Sequence, residues 1–142
     1  MSLSPERVLA LSALAAGIGS LMVDAQRQAV VLDEQAAAHL GLGAPPADGL
    51  PVDFWLGLFV EQDRVLVHAL LQAGVPPGAA ERLVVRVPSA SPGQVRLLEL
   101  SFVGSSSVPE LVGASRDITA QTSREELRRQ KAAAEQIGRA HV

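Results

Sequence analysis

The chain has 142 residues, 48% hydrophobic and 19% charged, with a net charge of −3. That is one domain's length with enough apolar matter for a core, which excludes a disordered chain. The balance is slightly acidic with no basic block, which argues against a nucleic-acid surface, and the absence of cysteine excludes disulfides, thiolate metal sites and cysteine nucleophiles.

Ser4–Ala16 reads as a helix. Ser4, Pro5 and Glu6 supply a capping hydroxyl, a proline at the first helical position and an early acid, and Val8, Leu11, Leu14 and Ala15 share one side. The uncharged stretch Val8–Val23 falls short of the roughly 20 residues a spanning helix needs. Arg7 ahead of that stretch also fits a secretory signal peptide, which is the alternative reading. Gly17 and Gly19 end the helix. Leu21–Val23 and Ala29–Leu32 flank the polar Asp24–Gln28 and predict a hairpin. "DEQAAAHLG" (33–41) predicts a short helix with an acidic start and a glycine stop, and "GLGAPPADGLP" (41–51) predicts a loop.

Val52–Leu58 is an apolar helical turn or two carrying Phe54 and Trp55. Glu61–Ala73 is a clearer helix closed by Gly74. Val65, Leu66, Ala69, Leu70 and Ala73 form its apolar stripe, and Glu61, Arg64, His68 and Gln72 line another side. Strands are expected at Arg82–Val87, Val95–Val103 and Leu111–Ile118, the first two joined by the turn "PSASPG". Thr119 to about Arg139 is helical again. Along 95–103, Leu98, Leu100 and Phe102 share one face, while Val95, Leu97, Glu99, Ser101 and Val103 share the other. That second face is too apolar for a plainly solvated surface, so a terminal helix or a partner subunit is expected to cover it. This order predicts an α+β domain, with one antiparallel sheet and helices grouped on one face.

Four stretches in this order resemble the PAS family. "VVLDEQAAAHLGL" (30–42) is similar to the PAS strand that runs into an Asn-led helix ending in Leu-Gly, with Asp33 in the asparagine's place. "FVEQDRVLV" (59–67) resembles the segment opening the central helix. "GQVRLLELS" (93–101) resembles a strand motif in which Leu97 replaces a tryptophan. "VGASRDIT" (112–119) matches the strand end that closes in Asp-Ile-Thr. The resemblance implies a PAS-like five-stranded antiparallel sheet with short helices on one face over residues 17–118. An N-terminal flanking helix (1–16) and a C-terminal signalling or linker helix (119–142) would frame it.

The function this implies is a cytoplasmic, non-catalytic sensory and dimerisation module of a bacterial signalling protein. It would sit beside a histidine kinase of a two-component system or a diguanylate cyclase. The implied partners are a second copy, met through the flanking helices and the sheet face, and a downstream effector domain; neither nucleic acid nor a membrane is expected for this stretch. One alternative is a ligand-free PAS domain acting only in dimerisation. Another, in a different class, is a small cavity-bearing isomerase-like enzyme.

LOV-type cysteinyl flavin chemistry needs a cysteine and is excluded. Haem is not expected, because Gln62 stands where haem-binding relatives place a histidine. His68 is read as a surface residue, His39 as a cation at a helix C-terminus, and His141 as part of the tail. Three scattered histidines offer no metal-ligand spacing. Gln62, Trp55 and Phe54 are the candidates for lining a small-molecule pocket. No catalytic set stands out. Glu99, Arg82 and Arg86 fall opposite the apolar strand faces and fit cross-strand surface pairs. Asp117, Ile118 and Thr119 are expected to couple the last strand to the terminal helix. Thr119 is expected to cap that helix, with Thr122 and Glu125 as a competing capping box. Leu127, Ala134 and Ile137 form a thin, partly heptad-like seam for a helix partner.

Overall fold

The computed structural model describes residues 17–89, 91–104 and 110–140, with side chains as far as residue 136. The helix expected at 4–16 therefore lies outside the described residues, as do His141 and the side chain of Ile137.

Six strands build one antiparallel sheet: β1 (Ile18–Asp24), β2 (Ala29–Leu32), β3 (Leu50–Pro51), β4 (Ala80–Pro88), β5 (Val95–Val103) and β6 (Leu111–Asp117). Their spatial order is β3-β2-β1-β6-β5-β4, so the first and last strands lie side by side at the centre. The helices are α1 (Glu34–His39), α2 (Val52–Leu56), α3 (Glu61–Ala73) and α4 (Thr119–Ala140). The β1–β2 hairpin turns where the Asp24 carboxylate accepts the N–H groups of Gln26 and Arg27 at 3.0 and 3.1 Å.

Five strands were expected and six are present among the described residues. The added one, β3, is two residues long and pairs Leu50 with Val30 and Pro51 with Ala29. Proline suits this edge position, where one missing N–H costs no ladder bond. β4 is also longer than the expected Arg82–Val87, running from Ala80 to Pro88 against the whole of β5.

Alternation along the strands decides the core. Leu98, Leu100 and Phe102 of β5, Val85 and Val87 of β4, and Leu21 and Val23 of β1 are all buried on one face. Val52, Trp55, Leu56 and Phe59 close over them from α2 and the turn behind it. The rings of Trp55 and Phe59 meet edge to face, with centroids 5.1 Å apart.

α3 turns a different side inward from the one its apolar spacing predicts. Asp63 and Val67 are buried and Leu70 and Leu71 are half-buried, whereas Val65 and Leu66 are 66% and 52% exposed. The cause is Asp63. Its carboxylate accepts the Arg86 guanidinium at 3.0 and 3.1 Å and the Arg86 backbone N–H at 2.7 Å, while Arg86's carbonyl accepts Val60 N–H. These bonds engage the free edge of β4 at Arg86 and set the roll of α3 about its axis.

The opposite sheet face leaves Val84, Val103 and Val112 about half-exposed among the described residues. α4 does not cover it: of residues 120–136 every one but Thr122 is exposed.

Candidate functional site

The functional geometry gathers where α1, β5 and β6 meet the start of α4. Asp33 has an extended backbone and its carboxylate accepts Ala36 N–H at 2.8 Å, which starts α1. α1 then lies flat on β1. A Cβ on Gly19 would come within 2.5 Å of the Ala36 backbone nitrogen, so only glycine admits this approach. At the far end of α1, the Arg96 guanidinium on β5 donates to the carbonyls of Ala38 and His39 at 3.0 and 3.3 Å. The helix is held at both ends although it is only six residues long.

His39 is buried, with 5% of its surface exposed. It does stand in the last turn of its helix, but burial corrects the reading of it as a cation there. Its Nδ1 lies 2.8 Å from the hydroxyl of Ser115 on β6, and its Nε2 lies 3.3 Å from the Gln35 amide nitrogen. Burial pushes the imidazole below its ordinary value, against the opposing pull of the nearby Asp117 carboxylate and the Gly17 carbonyl.

Two residues beyond Ser115, on the same side of β6, Asp117 begins the junction with α4. One of its carboxylate oxygens accepts both the Thr119 N–H, at 2.9 Å, and the Thr119 hydroxyl, at 2.6 Å. That hydroxyl in turn accepts Leu97 N–H from β5 at 2.9 Å, and Leu97's carbonyl accepts Ile118 N–H at 2.9 Å. Asp117, Ile118 and Thr119 are thus brought together, with Leu97 as a fourth member that sequence spacing gives no sign of. Thr119 does not cap α4 through its own hydroxyl, because that oxygen is engaged between Asp117 and Leu97. Thr122 lies inside the helix and donates its N–H to Ile118, and Glu125 accepts from Gln121, so the competing capping box is absent.

The three expected pocket residues do not converge. Trp55 is sealed in the core at 1% exposure, Phe54 is 51% exposed, and Gln62 is exposed on the first turn of α3. The roll of α3 about the Asp63–Arg86 tie is what turns Gln62 outward. A cleft of about 400 Å³ opens elsewhere, between the β1–β2 turn, the start of α2 and the last turns of α3. Val52, Leu71 and Leu111 give it an apolar wall, and Asp53, His68 and Gln72 a polar one. His68 is exposed, as expected, and lies 3.4 Å from Gln72.

On the outer face of the sheet, Glu99 faces Arg116 at 3.3 Å and Arg82 at 3.9 Å, the cross-strand arrangement expected of it. Arg86 is the exception, since it ties to Asp63. No group of residues fit to hold a metal ion occurs among the described residues, and none of their helices is long and apolar enough to cross a membrane.

Neither a protein-family model nor a curated protein matches the chain. Solved structures do. An RNA-binding light-oxygen-voltage receptor is similar at TM-score 0.64 and 23% identity, over 88% of this chain and 35% of that one. The chain thus spans about a third of that receptor's length. A sensory box histidine kinase/response regulator from Burkholderia thailandensis E264 is similar at TM-score 0.64 and 20% identity, over 92% of this chain and 98% of that one. The N-terminal domain of a diguanylate cyclase with PAS/PAC sensor from Marinobacter aquaeolei is similar at TM-score 0.57 and 18% identity, over 74% and 98%. At these identities the likeness concerns architecture, and together with the strand order described above it fixes the fold: the chain is a PAS-fold domain, with a short sixth strand added at the sheet edge.

Proposed function

We propose that this domain is a non-catalytic sensory and dimerisation module, whose output is the placement of α4. The observation that carries the proposal is the anchoring of α4. Its first turn is bonded to β5 and β6 through Asp117, Ile118, Thr119 and Leu97, while residues 123–136 are all solvent-exposed. A 22-residue helix fixed at one end and free along its flank is a lever: a small rotation at the joint moves its far end by many ångströms. Leu127, 64% exposed, sits on that free flank and suits a second copy of the helix. The cleft between α2 and α3 is the place for a small ligand, and a partner seated on the outer sheet face would act on the same joint through β5 and β6. A histidine kinase or a diguanylate cyclase following α4 would read the lever, as the company of the similar structures suggests. A cytoplasmic location belongs to this reading.

The test is to fuse the domain, with and without Thr119→Val, ahead of a histidine kinase output domain and assay its output. The proposal expects output to be uncoupled from signal while the domain stays folded by circular dichroism. Normal signalling by that variant would reduce the joint to a mere boundary.

A further inference from the structure

His39 is a titratable group sealed between α1 and the sheet, and nothing in the anchoring of α4 requires it. Its surroundings are specific. From α1 itself it meets Gln35, and the Asp33 carboxylate ahead of the helix acts on it through its charge. From β6 it meets Ser115, and Asp117, two residues further along the same side, acts on it through its charge. From β5 comes Arg96, whose guanidinium holds His39's own carbonyl, and from the approach to β1 comes the Gly17 carbonyl.

We propose that His39 is a proton-sensing site, and that its protonation loosens the joint between β6 and α4. The inference rests on the reading of α4 as the output and names a signal for it.

The chemistry follows from the two ring nitrogens. With the Gln35 amide N–H assigned toward Nε2, the neutral ring accepts there and donates from Nδ1 to the Ser115 hydroxyl. Adding a proton makes Nε2 a donor. Two donors then face each other at 3.3 Å, and Gln35 must turn its oxygen inward. The ring also becomes a cation in a buried site, and the carboxylate on β6 whose charge acts on it is Asp117. Asp117 is also the group on which the Thr119 N–H and hydroxyl depend. A carboxylate drawn toward His39 accepts less well from Thr119, so the first turn of α4 and the Leu97 bond weaken together. Burial keeps the ring neutral at neutral pH, and the charge therefore arrives only on acidification.

The experiment uses the 142-residue chain. Amide exchange of Leu97, Thr119 and Thr122 is measured by NMR at two pH values, one above and one below the midpoint of the His39 ring titration, expressed as protection relative to each amide's intrinsic rate. A ring titration of His39 accompanies it. The proposal expects protection at these three amides to fall about five-fold or more on acidification, with the midpoint of the His39 ring. In His39→Gln the fall is absent. In Asp117→Asn protection is low at both pH values and unresponsive. Wild-type protection that does not change with pH overturns the proposal, and so does an equal fall in His39→Gln. Should His39→Gln not fold, an undiminished pH response in Asp117→Asn overturns it instead. Such a failure leaves α4 as an output with some other input, whereas normal output from Thr119→Val removes the output reading itself.

Discussion

The hydroxyl of Thr119 stands between two elements: it donates to the Asp117 carboxylate at 2.6 Å and accepts the Leu97 N–H at 2.9 Å. Thr119→Val keeps the shape of the side chain and removes both bonds, leaving the half-buried Leu97 N–H unpaired. Urea unfolding should show a loss of about 1–3 kcal/mol. Thr119→Ser, which keeps the hydroxyl, should restore most of it.

Phe54 and Trp55 are neighbours in sequence and opposites in the fold. Trp55 is 1% exposed and packed edge to face against Phe59, so Trp55→Ala should cost about 3–5 kcal/mol. Phe54 is 51% exposed, and Phe54→Ala should fall within about 0.5 kcal/mol of wild type in the same denaturant titration.

The Asp63–Arg86 tie makes stability depend on acid. Hydrogen bonding from Arg86 holds the Asp63 carboxyl below its ordinary value. A carboxyl depressed in the folded state stabilises fully above its unfolded value and loses that contribution as pH falls through the folded one. The thermal midpoint of Asp63→Asn should therefore lie below wild type at neutral pH, and the gap should close on acidification below about pH 4. A gap that is constant with pH would mean the pair contributes nothing through its charge.

Gly19→Ala tests the seat of α1. The added methyl meets the Ala36 backbone, which cannot give way as a flexible side chain would. A destabilisation of about 1–3 kcal/mol is expected in chemical denaturation. His39 should become more accessible, seen as faster modification of its ring by diethyl pyrocarbonate.

What the sequence made legible was local or periodic. The two-residue alternation of Leu98, Leu100 and Phe102 names a core face without any structure, and strand-to-helix chemistry within Asp117–Thr119 can be read from adjacent residues. What stayed hidden depended on partners distant in the chain. Asp63 reads as a polar helix position until Arg86, 23 residues on, is seen to hold it. His39 reads as a cation at a helix C-terminus until Ser115, 76 residues away, is seen against its ring. Leu97 carries no side-chain signal for its part in the joint, because its contribution is a backbone N–H. β3 escaped because two residues are too few to show a period, and one of them is a proline.

The central claim is that α4 is a lever paired across a dimer and set by the Thr119 joint. The chain has no cysteine, so Gln130→Cys places a single spin label on the exposed flank of α4. Pulsed electron paramagnetic resonance on the labelled chain should give one narrow distance distribution between the two copies, and adding Thr119→Val should broaden or shift it. A sample with no dipolar coupling, or a distribution indifferent to Thr119→Val, would contradict the account.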